Sequence, residues 1–124
     1  MKKILIVDDD NDIVSYLSAL LIDYGYSVVT AFNGKECFEK AKSEKPDLIT
    51  LDITMPYESG VRAFRDLQED SDTQNIPVII ITGVSNDFEK FIKERKQVEP
   101  PMAYFDKPIN REKLIEKINE IIGN

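Results

Sequence analysis

Short runs of Ile, Val and Leu alternate along this chain with stretches whose apolar residues recur at helical spacing, and that alternation constrains the fold more than any other feature. Ile4-Leu5-Ile6-Val7 is the first run. It is followed by Asp10-Asn11-Asp12, which supplies helix N-cap chemistry, and by Ile13, Val14, Leu17, Leu20, Leu21 and Tyr24 at the spacing of one helix face, with Gly25 placed to stop that helix. Ser27-Val28-Val29-Thr30 reads as a second strand, and Asn33-Gly34 opens a helix with Cys37, Phe38 and Ala41 on one face. Pro46-Asp47 ends it, and Leu48-Ile49-Thr50-Leu51 is a third strand that terminates on Asp52. A helix with Val61, Phe64 and Leu67 inward and its cap near Ser59 follows. Then come a fourth strand, Val78–Ile81, ending on Thr82, and a helix carrying Phe88, Phe91 and Ile92. A fifth short strand around Met102–Phe105 leads into Lys107-Pro108, and Asn110 caps a last helix with Leu114, Ile115, Ile118, Ile121 and Ile122 inward.

Strands that are apolar almost without interruption have both faces covered, which is the situation of a parallel sheet between two helix layers. Right-handed crossovers place helices on both sides. The expectation is an α/β chain of five βα units, a doubly wound five-stranded parallel sheet, in one domain over residues 1–124. A hydrophobic fraction of 42% in 124 residues is enough for a core on each face.

In such sheets the working site lies at the carboxyl ends of the strands. Those ends are where this sequence becomes specific. Strand one runs into Asp8-Asp9, strand three into Asp52, strand four into Thr82, and strand five stops just before Lys107. One rim thus receives several carboxylates, a hydroxyl and an ammonium. Packed carboxylates repel, and without a counter-charge one of them has to stay protonated. An oxygen-rich cluster of this kind suits Mg²⁺, and Lys107 offers a second neutralising charge. Cations and donors arranged around one carboxylate are the equipment of phosphoryl transfer, with Asp52 able to act as nucleophile.

Bulk composition excludes several other chemistries. The formal charge of −7, with Glu interleaved in both basic stretches (Lys93–Lys96 and Arg111–Lys117), argues against nucleic-acid binding by this domain. The chain has no histidine, hence no histidine-based catalysis or zinc site. Its one cysteine, Cys37, rules out an internal disulfide and reads as a small apolar residue on a helix. No apolar run approaches the roughly 20 residues of a membrane span, and the start, Met1-Lys2-Lys3-Ile4, lacks a signal-peptide core, so a cytoplasmic location is expected.

Ile4-Leu5-Ile6-Val7-Asp8-Asp9-Asp10, then Asp52-Ile53-Thr54-Met55-Pro56 with Gly60, then Ile80-Ile81-Thr82-Gly83, then Tyr104-Phe105-Asp106-Lys107-Pro108 together resemble the receiver domain of two-component response regulators, in order and over essentially the whole chain. The resemblance implies a flavodoxin-like fold with strand order 2-1-3-4-5. It implies that Asp52 is the phosphoacceptor, that Asp9 and Asp52 ligate Mg²⁺ directly, that Asp8 does so mainly through water, and that the backbone carbonyl of Thr54 completes the protein ligands. Lys107 would pair with the carboxylate and then with phosphoryl oxygens, and Thr82 would bind the phosphoryl group through its hydroxyl. Tyr104 falls on the switch aromatic, while Thr54 and Val84 occupy the two variable positions that tune phosphoryl lifetime. The implied phosphodonor is a sensor histidine kinase or a histidine phosphotransfer protein. The implied output is altered binding of a downstream effector domain or protein on the helix 4–strand 5–helix 5 face, or self-association into a homodimer, with no independent substrate turnover.

Two features depart from that pattern or compete with it. The stretch from Thr82 to Lys107 is a few residues longer than usual for the family, and Glu99-Pro100-Pro101 stands where a small Gly-Ala pair often precedes strand five, which stiffens the approach to the switch strand. Asp8-Asp9-Asp10 also contains the Asp-x-Asp spacing of haloacid-dehalogenase-like phosphatases, with Asp8 as nucleophile and Asp10 as acid. That reading leaves Asp52 without a role, and Pro108-Ile109-Asn110-Arg111 follows Lys107 where an acidic pair is needed. A non-switching pseudo-receiver, used only for docking, would not need the full pocket set.

Overall fold

Strand β1 (Lys3–Val7) lies inside the sheet, because every residue after Lys3 in it is apolar and can be buried on either face. The computed structural model describes residues 1–52, 59–82, 103–106 and 109–123. In chain order these form β1, α1 (Asn11–Asp23), β2 (Ser27–Ala31), α2 (Gly34–Glu44), β3 (Leu48–Asp52), α3 (Ser59–Glu69), β4 (Val78–Thr82), β5 (Ala103–Asp106) and the C-terminal helix α4 (Arg111–Ile122). The predicted helix through Phe88, Phe91 and Ile92, the Met55-Pro56 turn and the Glu99-Pro100-Pro101 segment lie outside the described residues. The five strands form one sheet in the order β2-β1-β3-β4-β5, parallel at every pairing, as the flavodoxin-like expectation requires.

Alternation along each strand splits the core in two. Leu5, Val7, Ile49, Leu51, Val78 and Ile80 face Cys37 and Ala41 of α2 and Ala63, Phe64 and Leu67 of α3. Ile4, Ile6, Leu48, Ile79 and Ile81 face Val14, Leu17 and Leu21 of α1 and Leu114, Ile115 and Ile118 of α4. Near-continuous apolar strands are therefore explained by two helix layers, each taking every second side chain.

The helices begin where the sequence places capping side chains. Asp10 accepts from the Asp12 amide at 2.9 Å, Asn33 from the Glu36 amide at 2.9 Å, and Asn110 from the Lys113 amide at 3.1 Å. Asn33 also donates through its side-chain amide to Glu36 at 2.8 Å, a reciprocal cap.

Some expectations shift. The fifth strand is described over Ala103–Asp106, and Met102 lies outside the described residues. Tyr24, placed on the inward face of the first helix by its spacing, is 53% exposed and follows that helix as its cap, because the helix ends one residue earlier. Gly25, with φ of 91°, reverses the chain, and Tyr26 is the aromatic that enters the core, at 2% exposure. The Tyr26 hydroxyl bonds Asn119 on α4, and burial pushes its pKa up. Ile121 and Ile122 are half-buried, since they lie in the last turn of α4.

Helix α2 stops before Pro46, as expected, and its cap is Lys45, whose φ of 49° and ψ of 59° are left-handed. A side chain with a Cβ is disfavoured there by roughly 1 kcal/mol, whereas glycine is not. Lys45 is exposed, so Lys45→Gly is expected to raise unfolding free energy by about 0.5 kcal/mol, read as a higher urea midpoint at unchanged slope. A lowered midpoint would show that the left-handed cap carries no strain.

Candidate functional site

Parallel pairing of β1 with β3 puts Val7 opposite Leu51, so the next positions, Asp8 and Asp52, emerge side by side at the carboxyl edge. Both are buried, at 2% and 1% exposure, whereas Asp9 is exposed. One carboxylate oxygen from each of Asp8, Asp9 and Asp52 lies within 4.8 Å of the others. The Asp8 amide donates to the Ala31 carbonyl at 3.2 Å, which ties this edge to β2. The Asp8 carboxylate accepts from the Asp10 amide at 2.9 Å. Asp10 itself turns its carboxylate to the first turn of α1, as a cap. The positive end of the α1 dipole thereby stands beside the acidic group and partly offsets its charge.

Two buried carboxylates and an exposed third within such a radius need a cation or a set of donors. The donor set fits a small hard divalent cation. Oxygens around an octahedral Mg²⁺ are about 2.9 Å apart when adjacent and about 4.1 Å when opposite, so the three described oxygens would draw together, or one would act through water, to share one ion. Mg²⁺ also keeps several waters, which suits a site with one open, exposed carboxylate.

The neighbouring strands bring other predicted residues to the same rim. Asp52 is in register with Ile81, so Thr82, the last residue of β4, stands one position beyond it. Tyr104 lies in β5 opposite Ile80, and Thr82 is opposite Asp106. These are backbone placements. Thr54, Val84 and Lys107 lie outside the described residues. Cys37, read as core, is fully buried, and burial pushes its thiol up to about 12, which leaves no reactive thiolate near neutral pH.

One polar residue near the site escaped sequence reading. Thr50, in the centre of β3, is 1% exposed, and its hydroxyl oxygen has no hydrogen-bond partner. Its position two residues before Asp52 was the available signal, because alternation puts both on one sheet face. In the strand pattern a threonine passes for an ordinary β-former.

Residues 4–119 match the family described as the response regulator receiver domain. The protein PilH of Pseudomonas aeruginosa is 37% identical over 123 residues, covering 99% of this chain and 99% of its own length. The chemotaxis protein CheY4 of Vibrio cholerae superposes with a TM-score of 0.85 at 30% identity, over 98% of both chains. The receiver domain of a sensor histidine kinase from Pseudomonas aeruginosa, solved with a magnesium ion coordinated in its active-site cleft, superposes with a TM-score of 0.83 at 24% identity, over 99% of this chain and 98% of its own. With the ordered strand-end residues, the 2-1-3-4-5 sheet and a family match across nearly its whole length, this chain belongs to the response regulator receiver domains of two-component phosphorelay signalling.

Proposed function

We propose that the chain is a phosphorylation-dependent switch that takes a phosphoryl group onto Asp52 from a sensor histidine kinase or a histidine phosphotransfer protein. The observation that carries this reading is the convergence of Asp8, Asp9 and Asp52 at the end of two paired strands. Asp9, Asp52 and the backbone carbonyl of Thr54 would hold Mg²⁺ directly, with Asp8 acting through water. That the related kinase receiver holds a magnesium ion in its cleft supports a metal at this rim. When bound, the ion neutralises charge on the cluster and on the phosphoryl oxygens.

Asp52 is the nucleophile. One of its carboxylate oxygens forms a bond to phosphorus as the phosphorus–nitrogen bond to the donor imidazole breaks, and the imidazole nitrogen keeps that electron pair. Lys107 pairs with the carboxylate beforehand and with phosphoryl oxygens afterwards. Thr82 donates its hydroxyl to the new group, and the movement makes room for Tyr104 to turn. Thr54 and Val84 flank the pocket and set how long the group survives. The charge added at Asp52 is in this way converted into repacking around β5.

The output face would comprise the helix predicted before β5, β5 itself and α4. A cleft of about 290 Å³ lies on that side, lined by Phe105, Lys113, Glu116 and Lys117, and offers an apolar floor between charges of both signs to an effector or to a second copy. Nucleic acid is a poor partner for a domain of charge −7. No helix among the described residues is long and apolar enough to cross a membrane, and a reduced, buried Cys37 fits the cytoplasm. The phosphatase alternative loses its acid, because the Asp10 carboxylate is occupied as a helix cap.

Incubation with acetyl phosphate, followed by intact-mass spectrometry, tests the reading. One phosphoryl group is expected with Mg²⁺ present and none after chelation by EDTA. Addition that is indifferent to the metal would overturn it.

A further inference from the structure

Thr50 is the buried polar residue for which neither the fold nor the proposed chemistry accounts. Buried polar and charged side chains are few among the described residues: Asp8, Thr50, Asp52 and Thr73. Thr73 has a structural duty, donating its hydroxyl to the Leu67 carbonyl at 2.7 Å where α3 ends. Thr50 has none, since its hydroxyl oxygen bonds nothing. A buried hydroxyl without a partner costs about 1–3 kcal/mol, and valine has the same shape without that cost. Departures of this kind from good packing concentrate at functional sites.

The position of Thr50 supplies the function. In the sheet it lies between Ile6 of β1 and Ile79 of β4. Leu48, Thr50 and Asp52 share one face of β3, so Thr50 is the layer directly beneath the acidic rim, roughly 6.6 Å along the strand from Asp52. Around it that face is aliphatic, with Ile6, Leu48 and Ile79 fully buried. A donor in dry surroundings is electrostatically stronger than one in water.

We propose that Thr50 is a positioning residue for Asp52: its hydroxyl donates, directly or through one buried water, to the inward oxygen of the Asp52 carboxylate when the site is loaded. This rests on the reading of Asp52 as phosphoacceptor. In the carboxylate state the inward oxygen carries charge and is a strong acceptor. In the acyl phosphate it is a neutral carbonyl and a weaker one. The bond therefore holds Asp52 in the orientation that serves the cation and stabilises the carboxylate as a leaving group. In hydrolysis, the oxygen of water bonds to phosphorus and the phosphorus–oxygen bond to Asp52 breaks. The electron pair returns to the carboxylate, and the protons leave with inorganic phosphate and solvent. Thr50 shortens the life of the signal from below the pocket.

The experiment compares the wild type, Thr50→Val and Thr50→Ser, with Asp52→Asn as control. Magnesium affinity is measured by calorimetry, and acyl-phosphate half-life after labelling with acetyl phosphate and removal of the donor. Thr50→Val is expected to lengthen the half-life about fivefold and to weaken Mg²⁺ binding by a similar factor, the scale of one net hydrogen bond. Thr50→Ser, which keeps the hydroxyl, is expected to stay within about twofold of the wild type on both. The proposal is overturned if Thr50→Val matches the wild type in half-life and affinity while only its melting temperature moves, or if Thr50→Ser behaves as Thr50→Val does. Labelling that survives in Asp52→Asn would bring down the phosphoacceptor reading instead, and the inference about Thr50 with it.

Discussion

Asp52→Asn is expected to reduce phosphoryl incorporation from acetyl phosphate to the level of a control without protein. The amide has the shape of the carboxylate but neither its charge nor a nucleophilic oxygen that can form an acyl phosphate. Asp8 and Asp9 are placed differently from Asp52. Asp8 accepts the Asp10 amide and is buried, and Asp9 stands at the exposed side of the cluster. The same change removes one of three crowded negative charges, so folding stability is expected to be equal or higher in the absence of metal. Loss of labelling together with an undiminished melting temperature separates lost chemistry from lost structure. Retained labelling at the wild-type level would move the acceptor to another residue.

The second large effect is structural. Phe64→Ala in α3 is expected to cost about 3–5 kcal/mol. The ring is fully buried among Leu5, Ile49, Leu51, Ala41 and Ile80, where the closely set strands leave little room for the core to collapse onto a deleted ring. Small domains have only about 5–15 kcal/mol in total, so urea unfolding is expected to show a large fall in midpoint. Phe64→Leu, which keeps most of the volume, is expected to lose less than about 1.5 kcal/mol. A loss below about 1 kcal/mol for the alanine variant would mean that α3 does not depend on this ring.

The two changes also show which parts of the molecule the sequence discloses. Fold class follows from strong signals: uninterrupted aliphatic strands, caps at Asp10, Asn33 and Asn110, and acids where strands stop, while the strand order is what the family resemblance implies. The caps are legible because a single side chain performs each of them locally. The carboxylate cluster is legible because parallel pairing leaves Asp8 and Asp52 in neighbouring registers. Tyr24 and Tyr26 are harder. Helical spacing continues through Tyr24, and only the backbone reversal at Gly25 decides which of the two rings is buried. Lys45 in a left-handed conformation is invisible for a related reason, since a lysine carries no local sign that its φ is positive. Thr50 is hidden because its oddity lies in the absence of a hydrogen bond, and no residue pattern encodes an absence.

The sheet, as a wall between two cores, has a bearing on how such a chain can change. Asp52 and Thr50 belong to the side shared with α1 and α4, whereas Phe64, Cys37 and Ala41 belong to the other. The residues of α2 and α3 are then a keel beneath the rim, although strand alternation gives Thr82 and Tyr104 to the same face of the sheet. The aliphatic and aromatic ones can be exchanged as a set, provided their volume is kept, and can even be transplanted from a relative. The carboxylates Asp8 and Asp52, above the opposite compartment, would keep their places.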